Sequence, residues 1–520
     1  LITSETRVPS AATRNTLILL CVSVPSFMLN LDSNVVAVSL SSIAHSLHAD
    51  FAAIEWVISA YTLTFATLMM PAGALADRFG RKRMLLAGLT LFTAASFLCG
   101  AAPNVAVLNA ARAVQGVGAA VQLSAALATL SHAFRGPARA RAFAFWGSVI
   151  GVAIALGPVV GGFITQAFGW QWAFYVNIPV GAAMIALTLY AVDESRDPDA
   201  SRVDIPGFLT FSAGLLLTTL ALISGNRAGW GSRLVLLELA AAGVLFVLFL
   251  VVETVQQRPM LDLDFFRRPT YIGANIAGVA YAAALLTMLT YLPMYFQGGL
   301  GYGPQKAGLL MLPMAIPLFV VPRIVLAHLT HRFSGRILLT IGLTFIGAGL
   351  LWMGLEAHWF DYGTMIGGML LAGIGAGILN GETAKVAMTV IPAERAGMAS
   401  GVAGTVRFSG IVIGFAALGA ILFNRVSTTV AAGLPDGLAA DRTGMIRNIA
   451  AGNLSAVPPG ALLQDLAVRS FGDGFQAIFF TAATVALVAA LLCWLLVRSA
   501  DTAPVPRETA GPGAVAVPVE

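Results

Sequence analysis

The stretch IEWVISAYTLTFATLMMPAGALADRFGRKRMLLAGLTLFTAASFLCGA, residues 54–101, decides the fold class. Two apolar runs, 54–73 and 84–101, flank a short polar segment where Asp77, Arg78, Arg81, Lys82 and Arg83 crowd together. Each run has about the 20 residues that carry an α-helix across a hydrocarbon core. A membrane β-strand is half as long and alternates apolar with polar residues, which neither run does. The stretch therefore reads as a helical hairpin through a membrane. Its basic loop belongs on the cytoplasmic side.

The rest of the chain repeats this pattern. Of 520 residues, 58% are hydrophobic and 11% charged, and the mean hydropathy is +0.83. A soluble domain carries about 25% charged residues, so a water-soluble chain of this length is excluded. Fourteen apolar runs are predicted, near 16–38, 54–73, 84–101, 105–130, 143–165, 173–192, 205–225, 233–254, 271–297, 305–330, 336–355, 364–391, 397–422 and 474–497. An even count puts both termini on one side. With the N-terminus inside, most Arg and Lys fall in inner segments. The outer ones are Arg227, Arg233, Lys306, Arg425, Arg442, Arg447 and Arg469, four of them in one long loop. Both termini are expected in the cytoplasm, in a bacterial-type inner membrane. The polar Thr3–Asn15 and the long first run argue against a cleavable signal peptide.

This predicts an all-α polytopic protein with an N-terminal cytoplasmic segment (1–15), a six-helix bundle (16–192) and a charged linker (193–204). Two inserted helices (205–254) and a second six-helix bundle (271–497) follow. The second bundle carries a long outer loop, 423–473, with a short helix near Ala461–Val468, and a disordered tail follows at 498–520. A weak repeat supports the two halves: Leu75-Ala-Asp-Arg-Phe-Gly80 after the second run matches Leu329-Thr-His-Arg-Phe-Ser334 after the tenth. The inserted helices are expected to be peripheral, lipid-facing filler.

Several function classes drop out. Cys21, Cys99 and Cys493 all lie in apolar runs, as buried thiols do, and the six histidines form no metal-binding spacing. No metal or other cofactor is expected. The three lysines, Lys82, Lys306 and Lys385, do not follow the glycine spacing of an ATP-binding loop. The net charge of +5 is explained by topology, so no nucleic-acid partner is expected.

Particular residues resemble a known family. Gly73-Ala-Leu-Ala-Asp77-Arg78-Phe-Gly80-Arg81-Lys82-Arg83 looks like the loop between spans 2 and 3 of the major facilitator superfamily. Arg112-Ala-Val-Gln115-Gly116-Val-Gly118 resembles its span 4 motif, and Gly147 with Gly157-Pro158 and Gly161-Gly162 its span 5 antiporter motif. Leu31-Asp32 with Val35, Val36 and Leu40, and Trp170-Gln171-Trp172 with Asn177, Pro179 and Gly181, are similar to the fourteen-span drug:proton antiporter branch. The chain departs from that branch at Asn34, Ala37, Ser41 and Gln171. The resemblance implies the major facilitator fold, no cofactor, and protons as the coupling ion. Gly73, Asp77, Arg78, Gly80 and Arg81 would form a gating latch. Gly147, Gly151, Gly157, Pro158, Gly161 and Gly162 would seal one half against the other. Small residues four apart independently permit such close helix approach.

Charged side chains inside spans cost about 2.5–3.5 kcal/mol each at a helix centre, so each needs a partner or a cavity. Six stand out: Asp32, Arg112, Arg323, Glu382, Lys385 and Arg407. Residue counting puts Asp32 and Arg112 at matching depth. Glu382 matches Arg407 in depth and shares a helix face with Lys385. Asp32, Arg112 and Glu382 are therefore the proton-coupling candidates, with Lys385 and Arg407 as charge partners. Arg323 can snorkel to the interface and is assigned no chemistry. Tyr61, Phe65, Tyr291, Tyr295 and Phe296 are the candidate cavity aromatics.

The expected function is proton-coupled export of hydrophobic or amphipathic compounds by alternating access. The protein is expected to be a monomer in contact with membrane lipids, with the need for a periplasmic adaptor left open. A dedicated exporter or flippase for one lipid, fatty acid or metabolite is the alternative. A non-transporting membrane sensor is the rival of another class.

Overall fold

The computed structural model describes residues 11–196, 204–256, 259, 261, 263–391, 396–434, 442–458 and 460–502. Fourteen of its helices are long and apolar enough to cross a membrane. They are span 1 (Thr13–Ser46), 2 (Phe51–Phe79), 3 (Arg81–Gly100), 4 (Val105–Ala133), 5 (Arg141–Phe168), 6 (Trp172–Ala191) and 7 (Ile205–Gly225). The others are span 8 (Arg233–Val255), 9 (Pro269–Gly298), 10 (Leu312–Leu329), 11 (Gly335–Glu356), 12 (Tyr362–Thr389), 13 (Val402–Gly433) and 14 (Ala461–Leu496). Helices dominate because lipid offers the backbone no hydrogen-bond partner, so each segment must satisfy its own amides.

Spans 1–6 pack chiefly on one another, as do spans 9–14. The repeat is visible in the backbone. The amide of Arg81, opening span 3, donates to the carbonyl of Ser195, just beyond span 6. The amide of Gly335, opening span 11, donates to the carbonyl of Thr502, just beyond span 14. Both bonds are 3.0 Å long and tie equivalent helix starts to equivalent chain exits.

Four expectations change. Span 13 continues to Gly433 and span 14 begins at Ala461, so the loop between them is far shorter than 423–473. The short helix expected near Ala461–Val468 is the first part of span 14, and a separate helix, Arg442–Ala450, occupies the loop. These helices outrun their apolar stretches because their ends bury Val426, Val430, Ala467 and Phe471 against one another. Span 12 breaks at Asn380-Gly381, where Gly381 has φ +95°. Span 9 contains a π-helical segment, Tyr281–Leu286.

The fourth change concerns the inserted pair. Span 8 exposes Leu236, Leu237, Val244 and Val247, as a lipid-facing helix does. Span 7 instead packs on both span 2 and span 13, so it bridges the two halves and is not filler. Phe211 and Leu215 of span 7 cluster with Leu63 and Ala66 of span 2 and Val412 of span 13. The tail after Thr502 and the middle of the linker, 197–203, lie outside the described residues.

Candidate functional site: a charged cavity open on the face of the termini

Spans from both halves surround a cavity of about 670 Å³. Its lining comes from the middle of the bundle and from the half nearer the termini: Tyr61 and Met69, Arg112 and Leu127, Trp146 and Ile154 among others. At the far face the halves meet. Gln297 donates to the carbonyl of Val38 (2.9 Å), joining spans 9 and 1. Phe51 stacks on Phe423 (6.2 Å between ring centroids), joining spans 2 and 13. The cavity is therefore closed opposite the termini and open towards them.

Small residues of span 5 allow close packing at that face, Gly161 on span 1 of its own half and Gly162 on the other half. Gly161 approaches span 1 so closely that an added Cβ would sit 2.7 Å from Cα of Val35. Gly162 lies against the carbonyl of Pro304, and the carbonyl of Pro158 against Gly308, in the helix leading into span 10. Gly157 faces Asn34 of span 1. Gly147 and Gly151 do not join this contact and line the cavity instead. The expected seal is thus divided between a packed end and a cavity wall.

Asp32 and Arg112 meet, both fully buried, with Arg112 Nη1 2.8 Å from Asp32 Oδ2. Asp32 Oδ1 accepts from Gln115 Nε2 (3.1 Å) and from Asn177 Nδ2 (2.8 Å). Arg112 also donates to the carbonyl of Val57 (2.9 Å) and to Gln115 Oε1 (2.6 Å), and lies 4.1 Å from the Tyr61 ring centroid. Ser96 accepts from Gln115 (2.9 Å). Spans 1, 2, 3, 4 and 6 thus converge on one carboxylate. Gln115 and Asn177 stand in the motifs that carry the resemblance, but nothing in their spacing reveals that they bind Asp32.

The second cluster forms differently. Lys385 Nζ is 3.1 Å from Glu382, an i,i+3 pair on the short helix after the span 12 break. Arg407 does not join it, since among the described residues no carboxylate lies within ion-pair distance of Arg407. Of the two expected partners Glu382 takes Lys385, on the short helix that begins after Gly381. Arg323 donates to the carbonyl of Phe319 (3.1 Å) and is exposed.

Of the five candidate aromatics only Tyr61 lines the cavity. Phe65 packs on Phe408 (4.1 Å). Tyr291 stacks on Phe415 (4.7 Å) and donates to its carbonyl (2.9 Å). Tyr295 donates to the carbonyl of Ala357 (2.7 Å) within a cluster that includes Phe360 and Phe475, and Phe296 packs on Tyr362. The three from span 9 lie in the closed far half, so they are core. Glu55, unremarked in the sequence because it sits near a helix end, is also buried there, with the Tyr291 hydroxyl 3.5 Å from its Oε1.

In the loop between spans 2 and 3, Asp77 pairs with Arg81 (2.8 Å) and Arg78 lies over Phe79 (5.4 Å). Gly80 turns at φ +113° and packs against the Glu194 carboxylate. Gly73 has open space around it. Besides the Arg81–Ser195 bond, Glu194 ties this loop to the chain after span 6 by accepting from the amides of Lys82 (3.2 Å) and Arg83 (3.3 Å). Among the described residues no cluster of His, Cys, Asp and Glu suits a metal ion.

A bundle closed on one face and open on the other, around a central cavity with a buried ion pair behind its wall, defines a membrane transporter of small molecules. The chain belongs to the Major Facilitator Superfamily, whose family model matches residues 22–415. It is 36% identical over 405 residues to the multidrug resistance protein Stp of Mycobacterium tuberculosis, covering 78% of this chain and 75% of that one. It is 37% identical to the methylenomycin A resistance protein of Streptomyces coelicolor, over 76% of this chain and 83% of that one. It is 30% identical to the tetracenomycin C resistance and export protein of Streptomyces glaucescens, over 95% of both. Among solved structures, an inward-facing, unoccupied bacterial homologue of the human lysosomal transporter Spinster aligns with a TM-score of 0.65. That alignment covers 94% of this chain and 98% of that one at 15% identity, a likeness of fold alone.

Proposed function

We propose that this protein exports hydrophobic or amphipathic compounds in exchange for protons, by alternating access across a bacterial cytoplasmic membrane. The observation that carries the reading is the fully buried Asp32–Arg112 pair behind the cavity wall. The names of the relatives, resistance and export proteins, support the cargo class. The basic residues of the inner loops support termini in the cytoplasm, so the cavity as described faces inward.

A proton on Asp32 cancels the charge that holds Arg112. Arg112 then keeps the Val57 carbonyl, Gln115 and the Tyr61 face, all on spans 2 and 4. Span 1 is freed of its ion pair to span 4. Span 1 also takes part in the far-face closure, where its Val38 carbonyl accepts from Gln297 of span 9, and it packs through Asn34 and Val35 on span 5. Protonation state and closure therefore act on one helix, which is the linkage antiport needs. Spans 1–6 and 9–14 act as the two rocking bundles, with the loop after span 2 as latch and Gly157–Gly162 as seal. The protein works as a monomer among lipids, without a cofactor. One charge crossing about 150 mV with a small pH gradient supplies roughly 4 kcal/mol, enough for about a thousandfold cargo gradient.

Proteoliposomes with an imposed pH gradient test this. Movement of a hydrophobic dye that also dissipates the gradient is expected, and Asp32→Asn should abolish the coupling. Dye movement indifferent to the gradient, or full coupling in Asp32→Asn, would sink the proton assignment.

A further inference from the structure

The cavity wall built by spans 9 and 13 carries two polar groups that the protein leaves unsatisfied. Arg407 lines the cavity with no carboxylate in ion-pair distance among the described residues, and its Nε is buried without a hydrogen-bond partner. Tyr281 lines the same wall, is only 3% exposed, and its hydroxyl also has no partner. The guanidinium carbon of Arg407 is 6.0 Å from the Tyr281 ring centroid. Tyr281 opens the π-helical segment of span 9, a distortion frequent at functional positions. Buried donors without acceptors are costly, and here two of them border one open space.

The unpaired charge around them has one sign. The charged residues lining the cavity are Arg112, Arg323, Glu382, Lys385 and Arg407. Arg112 is matched by Asp32, and Lys385 by Glu382. Arg323 and Arg407 remain, with Arg323 on the span 10 wall of the same cavity. A lipophilic cation would meet two uncompensated guanidinium groups. An acid would meet one at the wall and another across the cavity.

We propose that Arg407 and the Tyr281 hydroxyl form an anion-accepting subsite that takes the carboxylate of an amphipathic acid. Its apolar body lies along Leu286, Leu289, Ile150 and Phe319, which line the same cavity. A guanidinium suits this task because its planar donors match a carboxylate in pairs and it sheds water more readily than an ammonium. This rests on the export reading and narrows its cargo to acids.

The test is binding of 1-pyrenebutyrate, its methyl ester, and a pyrenylmethyl trimethylammonium salt to the full chain in nanodiscs of zwitterionic lipid. The acid should bind about ten- to a hundredfold tighter than the ester, as a charge-assisted bond predicts, and the cation weakest. Arg407→Gln should remove the acid's advantage and leave the ester within about twofold, while Arg407→Lys keeps part of it. Tyr281→Phe, which keeps the ring, should weaken the acid alone by about threefold. Equal binding of acid and ester, or an acid preference that survives Arg407→Gln, overturns the subsite. If Arg407→Gln loses the ester as well, Tyr281→Phe decides: an unchanged acid affinity overturns the proposal. Adding phosphatidylglycerol to the nanodiscs distinguishes a lipid headgroup as the occupant; abolition of acid binding by that lipid overturns the assignment to cargo. Proton flux in proteoliposomes reads the export proposal separately. Selective acid binding without coupled flux sinks that reading alone, and coupled flux without acid preference sinks the subsite alone.

Discussion

Replacing Asp32 by Asn should destabilise the protein by leaving Arg112 charged and buried without its counter-ion. Both side chains are 0% exposed, so solvent cannot take over the role of the carboxylate. Removing one partner of a buried pair costs about 3–5 kcal/mol. Arg112 retains the Val57 carbonyl, Gln115 and the Tyr61 ring, which argues for the lower end, about 3 kcal/mol. The new amide adds a second fault. Its oxygen can keep the bonds that Asp32 Oδ1 accepts from Gln115 and Asn177, but its NH2 then meets the Arg112 donor at the Oδ2 position and cannot accept. The assay is equilibrium unfolding in mixed micelles of the single variant and of Asp32→Asn/Arg112→Met. The double variant removes the stranded charge with a side chain of similar length. It should recover at least about 2 kcal/mol of the loss, because the two changes touch one interaction, while transport stays dead. If Asp32→Asn alone were as stable as the native protein, or no more stable after Arg112→Met was added, the pair would not be desolvated and the reasoning would fail.

Three further outcomes are expected. Gly162→Leu should wedge span 5 away from Pro304 and prevent far-face closure; spin labels at positions 168 and 306 should read a longer distance, and an unchanged one would refute the seal. Gly381→Ala should lower stability by about 1 kcal/mol from backbone strain alone, since φ is +95° and an added Cβ meets nothing within 4 Å; thermal unfolding checks it. Glu194→Ala should unfasten the chain after span 6 from the start of span 3, where its carboxylate accepts from Lys82 and Arg83. Faster amide exchange at 81–84 is the expected signature, with a stability loss below about 1 kcal/mol for this partly exposed contact.

Legibility followed the physics of each residue. Asp32 and Arg112 announced themselves because a charge within an apolar run of about 20 residues cannot be left alone in lipid. Glu55 did not, since near a helix end it reads as interfacial, although tertiary packing buries it beside Tyr291. Glu194 was hidden in a charged linker where any acid looks solvated. The aromatics of span 9 failed as cavity candidates because depth alone cannot tell an open half from a closed one. Arg407 was expected to meet Glu382. Of the two partners open to Glu382 the structure pairs it with Lys385, its i,i+3 neighbour, and depth alone could not choose between them.

What the sequence determined by itself is the class of protein: fourteen crossings, helical throughout, and a short roster of intramembrane charges. It did so because a backbone in hydrocarbon has one economical way to satisfy its own amides, and apolar length reports that directly. Only the tertiary structure decided which charges meet, which face of the bundle is closed, and that span 7 bridges the halves. Those outcomes depend on the rotation and tilt of helices separated by many residues in the chain. Small-residue packing and single kinks set that geometry, and hydropathy carries no record of it.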